Sequence, residues 1–314
     1  MSFMQVERLK VHYPIRGGFF NRVLEKVCAI DGVSMEFEIG KTYGLVGESG
    51  SGKSTLGKAL IGLEQVTSGN IIYQGEDVTK CRKRTSAYNR EIQMIFQDSH
   101  SSMNPRKRVY EILAEPIRNF LKLTPKEERR RIHELLAIIG MSEDVLVKYP
   151  HEFSGGQKQR LGIARSVACM PKMIIADEPV SALDLSVQAQ VLNFMKDIQN
   201  EFGISYLFIS HDLGVVKHMC DYISIMYKGR FVETGNREDI YENPQHIYTK
   251  RLLSAIPDIS PETRIDRKLA RQKVEQYYQE YHTRYFDEQG GVHPLKSISA
   301  THQVAMVERE KEAQ

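Results

Sequence analysis

No apolar stretch of this 314-residue chain approaches the ~20 residues needed to cross a bilayer, and its start lacks the charged-then-apolar pattern of a secretory leader. Any contact with a membrane is therefore expected to run through another protein. Cysteine is scarce: four residues, Cys28, Cys81, Cys169 and Cys220, are scattered without a C-x-x-C pair. That spacing implies neither a disulfide framework nor a zinc site, and it fits a reducing compartment. Charge of one sign is also missing, since 43 Lys and Arg against 40 Asp and Glu leave a formal +3. No strongly basic face is expected, and hence no nucleic-acid partner. The short basic runs Arg82-Lys83-Arg84, Arg106-Lys107-Arg108 and Arg129-Arg130-Arg131 are expected to be solvated faces or linkers.

What is present is a glycine-rich loop, Gly47-Glu48-Ser49-Gly50-Ser51-Gly52-Lys53-Ser54-Thr55. It follows Thr42-Tyr43-Gly44-Leu45-Val46, a short run suited to a buried strand, and precedes Leu56 to Leu63, whose composition suits a helix. Glycines at 47, 50 and 52 let the backbone curl so that successive N–H groups face phosphate oxygens, at the positive end of the following helix. Lys53 can then reach the β- and γ-phosphates of ATP, and Ser54 can place its hydroxyl on Mg²⁺. A second element, Met173-Ile174-Ile175-Ala176-Asp177-Glu178, reads as a central parallel strand whose carboxylates emerge at the edge where α/β sheets bind ligands. Asp177 is placed to hold Mg²⁺ through water, and Glu178 to orient and deprotonate an attacking water.

Four further groups follow in order: Gln97 after the strand-like Ile92 to Phe96; Ser154-Gly155-Gly156-Gln157 opening a helical stretch; Ser181-Ala182-Leu183-Asp184; and His211 after Tyr206 to Ser210. Each alone is a common turn or polar strand end. Together, over residues 3 to 257, they resemble the ATP-binding cassette (ABC) ATPases. The resemblance implies an α/β P-loop fold with an inserted α-helical subdomain. It makes Gln97 the Q-loop glutamine and a further Mg²⁺ neighbour, Ser154 to Gln157 the signature, Asp184 the D-loop acid and His211 the switch histidine. It also puts Tyr13 where the family stacks adenine, and Phe153 where the family often has Leu. A signature at a helix start offers N–H groups and a hydroxyl to a γ-phosphate, and in this family that phosphate sits on a partner subunit. Two cassettes are therefore expected to pair, with ATP between them.

Residues 1–257 are expected to form the cassette, with 98–159 as the helical insertion. Thr124-Pro125 is a helix-start signal, and Ile132, Leu135, Leu136 and Ile139 recur at helical spacing before Gly140. The stretch Ile15 to Ala29 lengthens the hairpin ahead of the loop. The run Glu242 to Pro257, with Pro244, His246, Tyr248 and Thr249, resembles a motif of oligopeptide and dipeptide importer ATPases, as does Gln97 to Arg106. In the latter run Ser99 replaces a proline common in those subunits. No cysteine follows Cys220, which favours the F-type subunit over the cysteine-bearing D-type and argues against an iron–sulfur cluster.

The resemblance thus implies a D-type ATPase partner, two membrane permeases, an extracellular peptide-binding protein acting indirectly, and a place on the cytoplasmic face of the cell membrane. Importers of nickel or another small solute share these motifs. A non-transport cassette acting on ribosomes or DNA is disfavoured by the single uninterrupted motif set. The extension 258–314 carries no assigned chemistry: Arg264 to Tyr285 is expected to be a polar helix broken before Gly290-Gly291, and Glu308 to Gln314 a frayed charged end.

Overall fold

Strand β1 (Ser2–Gly17) and strand β2 (Arg22–Glu38) form a long antiparallel hairpin, and β3 (Thr42–Val46) leads into α1 (Lys53–Ile61). Then come β4 (Ser68–Tyr73), β5 (Glu76–Asp77), α2 (Ser86–Glu91) and β6 (Ile92–Ile95). Three helices follow: α3 (Val109–Phe120), α4 (Pro125–Ile138) and α5 (Gly155–Val167). The chain returns through β7 (Met173–Asp177), α6 (Leu185–Phe202), β8 (Ser205–Ser210), α7 (Leu213–Met219), β9 (Tyr222–Tyr227) and β10 (Arg230–Asn236). It finishes with α8 (Arg237–Glu242), α9 (Ile247–Ser254), α10 (Arg264–Glu280), α11 (His282–Tyr285), β11 (Leu295–Ser297) and β12 (Gln303–Ala305). This computed structural model describes residues 2–17, 22–80, 84–97, 103–256, 264–287 and 290–307.

Among the described residues the strands make two sheets, ordered β2-β1-β4-β5 and β11-β12-β10-β9-β3-β8-β7-β6. In the larger sheet β6, β7, β8, β3 and β9 run parallel, and the remaining pairings are antiparallel. Every residue of β3, β7 and β8 is buried, because parallel strands are covered on both faces. Successive side chains alternate between two cores. Leu45, Ile175, Leu207 and Ile209 pack with Phe37, Leu56 and Leu60 under the antiparallel sheet. Val46, Ile174, Ala176 and Phe208 face the core shared with the helical region and the C-terminal segments. The carboxyl ends of β3, β6, β7 and β8 therefore share one edge, and the loop glycines, Gln97, Glu178 and His211 follow them directly.

Helix α4 starts where its sequence signals place it. Thr124 and Glu127 form a reciprocal capping box with Pro125 in the first turn, Ile132, Leu135 and Leu136 are buried, and Gly140 (φ 63°) ends the segment. Helix α5 begins inside the expected insertion and passes through residue 159 without interruption.

Other elements differ from expectation. Helix α1 begins at Lys53 rather than Leu56 and stops at Ile61, because Gly52 (φ 108°) and Gly62 (φ 85°) adopt left-handed backbone at its two ends. The basic runs are not uniformly solvated. Arg84 donates to the Ala59 carbonyl at 2.7 Å and the Val78 carbonyl at 3.1 Å, and buried Arg131 lies over the Phe202 ring and donates to Val167 O. Both stems pack on apolar surface while their guanidiniums satisfy carbonyls, a use that a charge count does not reveal. Arg129 and Arg130 are exposed, Lys107 pairs with Glu115, and Arg82, Lys83, Cys81 and Ser99 lie outside the described residues.

The extension contributes more than a polar helix. The expected helix over Arg264 to Tyr285 is split at Tyr281, whose backbone leaves helical geometry (φ −108°, ψ 17°). Beyond it β12 pairs with β10, Glu233 opposite Val304, and β11 pairs with β12, so the larger sheet is completed by residues near the end of the chain. Strands of three residues carry too little periodicity to be read from sequence. Glu308 to Gln314 lie outside the described residues.

One buried acid fastens this addition. Glu233, fully buried, accepts the backbone N–H groups of Gln245 (2.6 Å) and His246 (3.0 Å), and its Oε1 lies 2.7 Å from His302 Nε2. Glu233→Ala strands all three groups at once. We expect it to cost about 3 kcal/mol or more, read as a lower thermal midpoint of the purified chain; an unchanged midpoint would refute this role.

Candidate active site

Buried β3 delivers the chain to a loop that cannot be built from other residues. A Cβ on Gly47 would lie 2.2 Å from the Met226 carbonyl oxygen, and one on Gly52 2.2 Å from that of Ala29. The loop is also braced from outside: Gly229 N donates to Ser51 O at 2.9 Å, and Glu48 N donates to the Tyr248 hydroxyl at 3.1 Å. Lys53 is 5% exposed, and its Nζ donates to the carbonyls of Gly47 (2.7 Å) and Glu48 (2.8 Å). Burial pulls the Lys53 pKa below its ordinary value, and the nearby Glu178, Asp177 and Glu48 oppose that pull. A desolvated ammonium at a glycine-bounded helix start is an anion-binding arrangement.

The acid pair stands beside it. Asp177, 3% exposed at the end of β7, accepts from Ser54 Oγ at 2.9 Å, and burial raises its pKa above the ordinary carboxylate range. A hydroxyl and a buried carboxylate make an all-oxygen donor pair that suits Mg²⁺. Among the described residues no three His, Cys, Asp or Glu side chains form a closed cage, and Mg²⁺ ordinarily keeps waters and substrate phosphates as its other ligands.

Glu178 has a left-handed backbone (φ 48°), uncommon for a residue with a side chain, and its N–H donates to Ile209 O at 3.0 Å. Its carboxylate gathers two of the residues expected at the site: Gln97 Nε2 donates to Oε2 at 3.0 Å, and His211 Nδ1 lies 3.0 Å from Oε1. These partners are 81 and 33 positions away in sequence. Gln97 thus lies against Glu178, while Ser54 and Asp177 form the other pair.

Tyr13 stands on β1, 38% exposed, with Glu64 and Thr55, the last loop residue, beside it; burial raises its pKa. An open aromatic face next to the loop can stack on a planar base. Ser49 and Gly50 are exposed at the loop's outer curve.

The signature residues lie in a different place. Ser154 caps α5, Ser154 N donating to Gln157 Oε1 (3.0 Å) and Gln157 N to Ser154 Oγ (3.4 Å), and a Cβ on Gly156 would lie 2.6 Å from Val187 Cγ1. Ser154, Gly155, Gly156, Gln157 and Asp184 line a cleft of about 340 Å³ to which no residue of the loop contributes. Asp184 itself starts α6 without a side-chain cap bond. Sequence reasoning missed Tyr248 and the Gly229 turn as supports of the loop. Tyr248 lay within the C-terminal motif, but a contact spanning 200 positions has no local signal.

A glycine loop between a buried parallel strand and a helix, an acid pair at the same edge two strands away, and a second anion-ready helix start define a P-loop nucleoside triphosphatase. Comparison with known proteins narrows the class. Residues 30–181 match the family model described as ABC transporter, and residues 232–284 that described as oligopeptide/dipeptide transporter, C-terminal region. The chain is 58% identical to the oligopeptide transport ATP-binding protein OppF of Lactococcus lactis subsp. lactis over 97% of its own length and 96% of the relative's. It is 48% identical to the dipeptide transport ATP-binding protein DppF of Haemophilus influenzae over 82% and 79% of the two chains. Among solved structures, cbiO1 from Clostridium perfringens, part of the ABC transporter complex cbiONQ, superposes with a TM-score of 0.66 at 27% identity, covering 80% of this chain and 95% of that one. The chain belongs to the ABC transporter family, among the ATP-binding proteins of oligopeptide and dipeptide transporters. It is an ABC-type ATPase.

Proposed function

We propose that the chain is the F-type ATPase of a peptide importer, working opposite a D-type ATPase on two membrane permeases at the cytoplasmic face of the cell membrane. The observation that carries this reading is the separation of the two phosphate-facing features: the signature has its own cleft, apart from the loop. A chain carrying both, apart, is suited to share ATP with a second cassette. No helix among the described residues is long and apolar enough to cross a membrane, which agrees with attachment through permeases. Residues 1–257 act as the cassette, with 98–159 as its helical insertion, and 258–314 as an extension. A cleft of about 660 Å³ lined by Phe96, Ile112, Pro116 and Phe120, with Gln93 and Glu115 at its polar side, offers a permease helix a groove between the sheet and the helical region.

The residues divide the work. Tyr13 stacks on adenine. The amides of Gly47 to Thr55 and the Lys53 ammonium hold the phosphates, and Ser54 and Asp177, with Gln97 nearby, hold Mg²⁺. When bound, Mg²⁺ neutralises charge that develops on the phosphate oxygens. Glu178 aligns water and takes its proton; His211 and Gln97 fix the carboxylate that does so. Ser154, Gly155, Gly156 and Gln157 take the γ-phosphate of ATP held by the partner, and Asp184 borders that contact. Cleavage removes the bridge and lets the pair open.

The test uses tagged Glu178→Gln protein, purified with ATP from gently solubilised membranes, with mass spectrometry of what remains bound. Two permeases, a second cassette ATPase and a peptide-binding protein are expected. Permeases with a nickel- or solute-binding protein would replace the cargo assignment, and ribosomal or DNA-associated proteins without permeases would discard transport.

A further inference from the structure

The helix carrying the C-terminal motif reaches the phosphate loop itself. Tyr248 lies on α9, fully buried, and its hydroxyl accepts the N–H of Glu48, the second residue of the loop. Two further bonds are made around the same loop residue: Ser51 N and Lys53 Nζ both donate to Glu48 O, at 3.2 and 2.8 Å. The Glu48 peptide is thus held from the Tyr248 side at its N–H and from within the loop at its carbonyl. That peptide sets where the chain leaves β3 and hence where the following amides point.

The other end of Tyr248 is anchored in the extension. Its ring meets that of Tyr227 with centroids 4.9 Å apart, Tyr227 meets Phe286 at 5.1 Å, and Phe286 meets Tyr278 at 6.2 Å. Rings from β9, α9, α10 and the residue after α11 therefore form one continuous block whose only polar tip on the loop, among the described contacts, is the Tyr248 hydroxyl. Burial raises the Tyr248 pKa, so the tip stays a neutral phenol beside the anion site.

We infer that Tyr248 is a positioning residue for ATP binding: its hydroxyl fixes the Glu48 peptide, and through it the C-terminal extension sets the shape of the phosphate loop. The inference rests on the nucleotide assignment above. Tyr248→Phe keeps the ring and its packing but leaves the Glu48 N–H without its acceptor, so the loop's first turn loses one of its fixed points. The same contact acts before and after the chemical step begins, so the loss falls on binding rather than on turnover of bound nucleotide.

The experiment measures equilibrium binding of the fluorescent nucleotide mant-ATP with Mg²⁺ to the purified full chain. Tyr248→Phe is compared with wild type and with Tyr278→Phe, which alters the same aromatic block at a ring that is not the acceptor of the Glu48 N–H. For Tyr248→Phe the dissociation constant is expected to rise about threefold to tenfold, as for one lost hydrogen bond, with the thermal midpoint close to wild type. Tyr278→Phe is expected to bind as wild type. Equal affinity of Tyr248→Phe and wild type would overturn the inference, as would an equal loss in both variants, which would mark a packing effect. Should Tyr248→Phe not fold, amide hydrogen exchange on the nucleotide-free wild-type chain decides: a protected Glu48 amide supports the bond, and exchange at the free-loop rate refutes it. Failure of wild type itself to bind mant-ATP would instead overturn the nucleotide assignment beneath it.

Discussion

Glu178→Gln is expected to lower ATP turnover by about two to four orders of magnitude while leaving ATP binding within a fewfold of wild type. The amide is isosteric and can still meet Gln97 and His211, so the cluster at the end of β7 keeps its shape. What it loses is the capacity to take a proton from water. The left-handed backbone at residue 178 sharpens the expectation, since such geometry costs free energy and persists only where its surroundings enforce it. It aims the carboxylate between two partners rather than along the strand. Because cleavage ends the bridged state, the variant mixed with its partner ATPase is also expected to accumulate as a closed pair in ATP, measurable by light scattering coupled to size exclusion. Turnover at the wild-type rate would remove Glu178 from the role of base.

Lys53→Ala is expected to act one step earlier, raising the ATP dissociation constant by about tenfold to a hundredfold, the range for losing a hydrogen bond to a charged group. The side chain is buried and already spans the loop, donating to the carbonyls of Gly47 and Glu48. Its removal takes away both the phosphate contact and a tie across the loop. The two variants therefore separate the site's functions, one holding nucleotide without cleaving it and the other failing to hold it. Isothermal titration with ATP, run beside a turnover assay on each, distinguishes them; a Lys53→Ala chain that binds as wild type would move phosphate recognition elsewhere.

The parts of this site that sequence made legible are those dictated by chemistry over a few residues. A glycine loop before a helix, an acid pair closing an apolar strand, and a serine–glycine run opening a helix each carry their reason locally. Strand order brought Gln97, Glu178 and His211 to one edge, as parallel strands with equivalent carboxyl ends must. Contacts between distant segments escaped. Tyr248 meets the loop only because α9 packs under it, Arg131 is buried only because Phe202 lies beneath it, and Gly52 moved the start of α1 through a dihedral angle that composition does not show. The C-terminal strands escaped for another reason. Gln303 to Ala305 has strand character only because β10 offers a partner.

That last pairing bears on how the larger sheet ends. Without β11 and β12, strand β10 would be the outermost strand of the larger sheet, with its unpaired amides and carbonyls open to any other extended chain. Two short strands close that border, and the Glu233–His302 contact seals it from within. The last two short strands thus cover a sheet border, and a chain shortened after α9 would leave that border of β10 bare.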